Sequence, residues 1–194
     1  MKEIFYDWGG FNVWLFHAIN DIRESHLDRF MQLGTAIGDH GLFPLYLALL
    51  TLAALGITVK QRSLALPWIG AIAVFSCAYL LDGLLISTLK PLLDYPRPPL
   101  ALPAGTVHIV GSPEYHHSTP SGHASFAMLC IASLWPMLNS RLKLIGVSLV
   151  LWVGISRVSL GAHFPADVLA GYVSSLAVVL AVRSLVNLYV ARRV

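Results

Sequence analysis

The sequence predicts an all-α fold, a polytopic membrane bundle of about six transmembrane helices joined by one amphipathic helix lying along the membrane surface. Three observations carry that expectation. Of 194 residues, 56% are hydrophobic and only 12% charged, and the mean hydropathy of +0.69 is far too high for a soluble domain of this size. Most of the long apolar runs approach or exceed the roughly 20 residues needed to cross a hydrocarbon core. No internal repeat, low-complexity tract or linker separates them, so residues 1–194 are expected to form a single membrane-embedded domain.

Taken in order, residues 8–22 are short and tryptophan-rich, which fits either a tilted first span or an interfacial helix; the count of six takes them as the first crossing. Residues 25–40 place Leu27, Phe30, Met31, Gly34 and Ile37 at near-helical spacing, with Asp28, Arg29 and Asp39 elsewhere, the pattern of a surface-lying amphipathic helix. Residues 41–59, 64–89, 121–138 and 164–190 are spans, the second enclosing Asp82. A fifth run, 142–160, is apolar to Ile155 and carries Arg157 near its end.

Charge is sparse but placed. The formal net charge is +3, yet the cations sit between or at the ends of apolar runs, so they read as a membrane orientation signal and nucleic-acid binding is not expected. Lys60 with Arg62, Arg141 with Lys143, and Arg192 with Arg193 fall in three short segments that an even number of crossings separates. The positive-inside rule makes these cytoplasmic, with both chain ends, and puts the loops of the opposite face outside. The opening MKEIFYDWGG carries Glu3 and Asp7 and lacks a small-residue cleavage site, which argues against a cleaved leader. Cys77 and Cys130 lie within apolar stretches and pack as small hydrophobes, with no spacing for a disulfide framework or metal.

Three short islands interrupt this apolar background on the outward face: KPLLDYPRP from Lys90, PSGH from Pro120, and SRVSLGAHFPAD from Ser156. Lys90 and Arg97 flank a turn stiffened by Pro91 and Pro96. Ser121 is a candidate N-cap, and the helix start at Gly122 and His123 offers unpaired N–H donors and a positive dipole end suited to phosphate. Gly122 lets a ligand approach the backbone. With Pro165 in the first turn of a helix, the i,i+4 pair His163 and Asp167 shares a face. A carboxylate on one imidazole nitrogen fixes the tautomer and frees the other as nucleophile or base. Ionisable groups near hydrocarbon are costly, so their convergence points to function.

The composite Lys90-x6-Arg97-Pro98, Pro120-Ser121-Gly122-His123 and Ser156-Arg157-x5-His163-x3-Asp167 resembles the three-part signature of the type 2 phosphatidic acid phosphatase superfamily, related to the vanadium haloperoxidases. The resemblance implies that His163 is a nucleophile forming a phosphohistidine, that Asp167 orients it, and that His123 protonates the leaving alkoxide and then activates water. It further implies that Lys90, Arg97, Arg157, Ser121 and Gly122 hold the phosphoryl oxygens. Three cations and a helix start can neutralise a transferring phosphoryl group, so no metal or other cofactor is expected.

Asp82, about two turns or 12 Å from Lys90 along a helix, is expected to make a structural polar contact, to pair with a buried cation, or to cap the pocket floor. His108, His116 and His117 lie between the first two islands and are expected to touch a headgroup rather than a metal. The resulting expectation is a lipid phosphatase of a bacterial inner membrane, in contact with the bilayer and a lipid substrate, with its active site facing outward. Undecaprenyl diphosphate is favoured over phosphatidylglycerol phosphate, phosphatidic acid and lipid A phosphates, because the chain is small and carries no further domain. The rivals are lipid-to-lipid phosphotransfer and, from another class, a transporter; polar groups gathered at one face rather than along a path argue against the latter. The sequence carries no signal of oligomeric state.

Overall fold

The computed structural model describes residues 6–192, and every regular element among them is helical. After a 3-10 turn at Trp8–Gly10, α1 (Phe11–Asn20) and α2 (Ser25–Ile37) precede the long helices α3 (Phe43–Lys60) and α4 (Ala65–Leu93). A loop containing a single helical turn at Pro98–Ala101 leads to α5 (Gly122–Leu134), α6 (Ser140–Ser159) and α7 (Pro165–Ala191). Glu3 and Arg193, used in the sequence reading of the two chain ends, lie outside the described residues.

Among the described residues, four stretches are long and apolar enough to cross a membrane: His40–Lys60, Arg62–Ala101, Ser140–Ser159 and Pro165–Tyr189. Their outward faces carry exposed Leu52, Val59, Leu80, Leu84, Leu144 and Val173. A bilayer accounts for so much exposed hydrocarbon, which a soluble protein would bury. The 29 residues of α4 reach about 43 Å at 1.5 Å per residue, longer than a hydrocarbon core of about 30 Å. Its last turn therefore carries Lys90 beyond the apolar slab, and left-handed Asp94 ends it at φ 39°.

The short α5 is the centre of the bundle, packed against α4, α6 and α7. Its Phe126, Leu129 and Ala132 join Leu50 of α3, Val74, Phe75 and Ala78 of α4, and Val179 and Val182 of α7 in the main core. Thirteen residues make it about 20 Å long, so its terminal carbonyls fall inside the bundle and need partners. Arg183 of α7 supplies them, donating to the carbonyls of Ala132 and Ser133. Gly171 of α7 lets α5 come this close, because a Cβ there would lie 2.6 Å from the Ser121 carbonyl oxygen.

The expected first crossing does not form. At 10 residues, α1 spans about 15 Å, half a hydrocarbon core, so it takes the interfacial alternative. It is pinned at the end of the bundle bearing the three islands: Asn12 Oδ1 accepts from Ala166 N, and Asn20 Nδ2 donates to the carbonyls of His108 and Ser159. Tyr6 lies at the same end, bonded to Asp167. Tyr6, the first described residue, is thus at the island end of the bundle, while Arg192 follows α7 at the other end. The amphipathic helix is present as α2, laid against α6 with Phe30 stacked on Trp152 at 4.5 Å.

Candidate active site

The three islands converge because successive helices alternate in direction: α4 and α6 end, and α5 and α7 begin, at one end of the bundle. Gly161 makes the tight passage from α6 to α7, with φ +74° and its Cα so near the His108 carbonyl that a Cβ would sit 2.4 Å from it. Only glycine fits both constraints. His163 follows in the turn and Asp167 in the first turn of α7, which starts at Pro165 as expected.

His163 is 1% exposed and Asp167 0%. Nε2 of His163 lies 3.3 Å from Arg97 Nη1; a guanidinium only donates, so Nε2 presents its lone pair and Nδ1 bears the proton. Nδ1 is 3.5 Å from Asp167 Oδ2, the outer edge of hydrogen bonding, and has no closer partner. The carboxylate therefore orients the ring chiefly as a charge. Burial pushes the His163 imidazole down to about 4, against the opposing pull of Asp167 and helped by Arg97 and Arg157. The ring is neutral at neutral pH.

Asp167 is held from all sides. Its Oδ1 accepts from Tyr6 Oη at 2.9 Å and from Thr119 Oγ1, and its Oδ2 from Ser118 Oγ at 2.5 Å and Phe164 N at 2.8 Å. Four donors leave the carboxylate no freedom to rotate away from His163. Tyr6 also stacks on Tyr95 with ring centroids 4.2 Å apart, and burial beside Asp167 holds its phenol well above the usual range.

Arg97, 4% exposed, is equally fixed. Nε donates to the His116 carbonyl at 3.0 Å, Nη1 to that of Ala162 at 3.3 Å, and Nη2 meets Glu114 Oε2 at 2.5 Å. A cavity of about 290 Å³ opens beside it, lined by Arg97, Glu114, His123, Arg157 and Gly161 among others. Arg157 Nη1 donates to Thr35 Oγ1 of α2 at 2.6 Å while its Nε has no partner. Three candidate residues, Arg97, Arg157 and His123, thus share one chamber next to His163.

Lys90 and Gly122 face a second cavity, of about 460 Å³, that Asp82 and His40 also line. Ser121 occupies the N-cap position of α5 with extended backbone, but its hydroxyl makes no capping bond and is buried without a partner. Its N–H is taken by the Asp167 carbonyl at 3.0 Å. The expected side-chain cap is therefore replaced by a backbone tie that sets the start of α5 against the start of α7. A Cβ on Gly122 would meet nothing within 4 Å, so the helix start opens onto free space.

Asp82 makes the expected polar contact, accepting from Ser125 Oγ at 2.6 Å. The loop histidines lie against carboxylates: His108 Nε2 is 3.1 Å from Asp28, and Nδ1 of His116 and of His117 are 3.7 and 3.1 Å from Asp94. Among the described residues no three His, Cys, Asp or Glu side chains gather as a metal-ligand set. Sequence reasoning missed Tyr6, Thr35, Ser118 and Thr119 as partners of the candidate residues. Only Ser118 and Thr119, next to the PSGH island, carried a positional signal.

The chain is similar to known proteins in sequence and in fold. A family model described as the PAP2 superfamily matches residues 71–190, more than half of the chain. Lipid A 1-phosphatase of Rhizobium johnstonii is 32% identical over 116 residues, 58% of this chain and 46% of that protein. Lipid A 1-phosphatase of Rhizobium etli is 31% identical over 116 residues, 58% and 48% respectively. The chain spans under half the length of these curated relatives. LpxE of Aquifex aeolicus superposes with TM-score 0.71 at 24% identity, over 89% of this chain and 94% of that one. The transmembrane PAP2-type phosphatidylglycerolphosphate phosphatase of Bacillus subtilis does so with TM-score 0.68 at 24% identity, over 93% and 86%. At such identity these two speak for the fold alone. The family match, by contrast, takes in all three islands from Lys90 to Asp167, and on that ground the chain belongs to the PAP2 superfamily.

Proposed function

We propose that this chain is a single-domain membrane lipid phosphatase working through a phosphohistidine on His163. The observation that carries the reading is the Nε2 lone pair of a buried, neutral His163, held toward Arg97 at 3.3 Å with Asp167 behind the other nitrogen. That is the geometry of an activated nitrogen nucleophile beside a cationic anion site.

In the first half-reaction the Nε2 lone pair bonds to phosphorus as the P–O bond to the lipid breaks, and the departing alkoxide takes from His123 the proton that the imidazole accepted from the incoming phosphate monoanion. Asp167 balances the positive charge that forms on the imidazole, whose Nδ1 proton stays in place. In the second half, water gives a proton to His123 as its oxygen attacks phosphorus, and the P–N bond breaks to return His163 and inorganic phosphate. Arg97, Arg157, Lys90 and the α5 start at Ser121 and Gly122 neutralise the equatorial oxygens, a role that suffices for phosphoryl transfer without a metal ion.

The basic positions Lys60, Arg62, Arg141, Lys143 and Arg192 lie at the end of the bundle away from His163. By the positive-inside rule this arrangement supports a chamber on the outer face of a bacterial inner membrane. For the substrate, the names of the two Rhizobium relatives support a lipid A 1-phosphate, whereas undecaprenyl diphosphate, favoured on chain size, gains no such support. The test is phosphate release by purified protein across lipid mono- and diphosphates, with His163→Ala as control. Release that depends on His163 is expected; transport of a solute into liposomes with no release from any lipid would overturn the reading.

A further inference from the structure

Asp82 is not used by the mechanism, yet it is a carboxyl group 5% exposed inside a membrane helix. Such a group is expensive to bury and is ordinarily fully partnered. Only half of it is. Oδ2 accepts from Ser125 Oγ at 2.6 Å, while Oδ1 has no hydrogen-bond partner among the described residues. Asp82 lines the cavity of about 460 Å³ that also holds Lys90, Gly122, His40, Gly83 and Phe126. Its wall at Gly83 is open, a Cβ there meeting nothing within 4 Å.

The depth of this oxygen is set by α5. Ser125 lies three residues after Gly122, about 5 Å along the helix axis. The unpartnered oxygen therefore sits roughly one helical turn inside the start of α5, where the phosphoryl group is proposed to bind. Lys90, about 12 Å further along α4, marks the mouth of the same cavity. A lipid anchored by its phosphate at the mouth would bring its linkage region, between headgroup and hydrocarbon, to Asp82.

We infer that Asp82 forms a linkage subsite that selects lipid phosphates bearing a hydroxyl or amide just below the phosphate. The chemistry discriminates sharply. A hydroxyl or amide both donates and accepts, so it satisfies a carboxyl group in either protonation state. An ester carbonyl only accepts, so it satisfies the buried oxygen in one protonation state alone, and a polyprenyl chain satisfies it in neither. A site built to bond a polar group rejects an analogue lacking it far more strongly than an apolar pocket rejects an extra methylene.

The inference rests on the lipid phosphatase reading, and its test separates the two. Phosphate release from ceramide 1-phosphate, phosphatidic acid and a polyprenyl phosphate is measured for the wild type, Asp82→Asn and Asp82→Leu, with thermal unfolding as a fold control. The wild type is expected to favour ceramide 1-phosphate by about tenfold or more in kcat/KM; Asp82→Leu should bring the ratios near one and Asp82→Asn should keep most of the preference. A wild type that favours the polyprenyl phosphate, or an Asp82→Leu variant with unchanged ratios, would overturn the subsite. Unphosphorylated lipids supply the independent arm. Ceramide should raise the wild-type Tm more than an O-methylated diacylglycerol, which lacks any hydroxyl, and Asp82→Leu should erase the difference. If no lipid phosphate is hydrolysed, the phosphatase reading fails while this arm still decides the subsite, which falls if the two lipids shift Tm equally.

Discussion

Arg97 Nη1 lies 3.3 Å from Nε2 of His163, and this one contact fixes which imidazole nitrogen carries the lone pair. A donor-only guanidinium forces the lone pair onto Nε2 and the proton onto Nδ1, where Asp167 faces it. Burial then keeps the ring neutral, with the imidazole pushed down to about 4. The sign follows: between about 4 and the ordinary value near 6.5, the folded protein refuses a proton that the unfolded chain accepts. This contribution to stability is thus progressively lost as pH falls below 6.5. Histidine 15N NMR of solubilised protein, assigned with His163→Gln, should show an Nδ1–H tautomer persisting to pH 5. A midpoint near 6.5 would contradict the assignment.

Asp167 should matter by orienting rather than by reacting. Asp167→Asn can accept fewer of the bonds from Tyr6, Ser118, Thr119 and Phe164 and cannot balance an imidazolium. A loss of roughly two to four orders of magnitude in kcat is expected, as when a comparable carboxylate is removed from a triad. Ser118→Ala removes one donor from a carboxylate that keeps three, so a several-fold loss in kcat with little change in KM is expected. A Ser118→Ala variant altered only in KM would place that hydroxyl on the substrate.

Much of this was legible in the sequence, for reasons that specific residues make plain. Long apolar runs fix α3, α4, α6 and α7 because hydrocarbon burial is a one-dimensional signal, readable without knowing any partner. His163, Asp167, Arg97, Arg157 and His123 were legible because polar groups in so apolar a chain stand out. Tyr6, whose partner is 161 positions away, and Thr35, whose partner is 122 away, were not, since nothing local distinguishes them. The crossing expected at residues 8–22 failed for a related cause: Asn12 and Asn20 bind the islands across space, a demand that apolar counting does not register.

Thr35 offers a test of that long-range support. Its Oγ1 is the partner of Arg157 Nη1 at 2.6 Å, while Arg157 Nε already lacks one. Thr35→Val keeps the shape and removes the acceptor, loosening a cation proposed to hold phosphate. A hydrogen bond to a charged group contributes about 1.5–3 kcal/mol, so KM should rise about 10- to 100-fold, or less where solvent compensates, with unfolding temperature little changed. Unaltered kinetics would remove Thr35 from the support of the site.

Metal dependence gives a separate check. The proposed chamber gathers the charges of Arg97 and Arg157 beside a helix start, and Lys90 stands at its neighbour. In the proposed mechanism these neutralise a transferring phosphoryl group as a bound cation would. Phosphate release should survive dialysis against excess EDTA. Activity lost to EDTA and restored by magnesium would show that a metal ion carries part of the charge.

Glu114 is positioned to compete with the substrate. Its Oε2 meets Arg97 Nη2 at 2.5 Å, with the Glu114 side chain 63% exposed and that of Arg97 only 5%. The other guanidinium nitrogens are committed to the carbonyls of His116 and Ala162 and to His163, so Nη2 is the arm a phosphoryl oxygen would reach. An incoming phosphate must displace the Glu114 carboxylate or accept a like charge beside it. Glu114→Gln keeps the size and removes the charge; inorganic phosphate should then inhibit several-fold more strongly and KM should fall, with kcat less affected. Because Glu114 is open to solvent, the gain should shrink as ionic strength rises. Unchanged or weaker inhibition by phosphate would mean that Glu114 assists binding at Arg97 rather than opposing it.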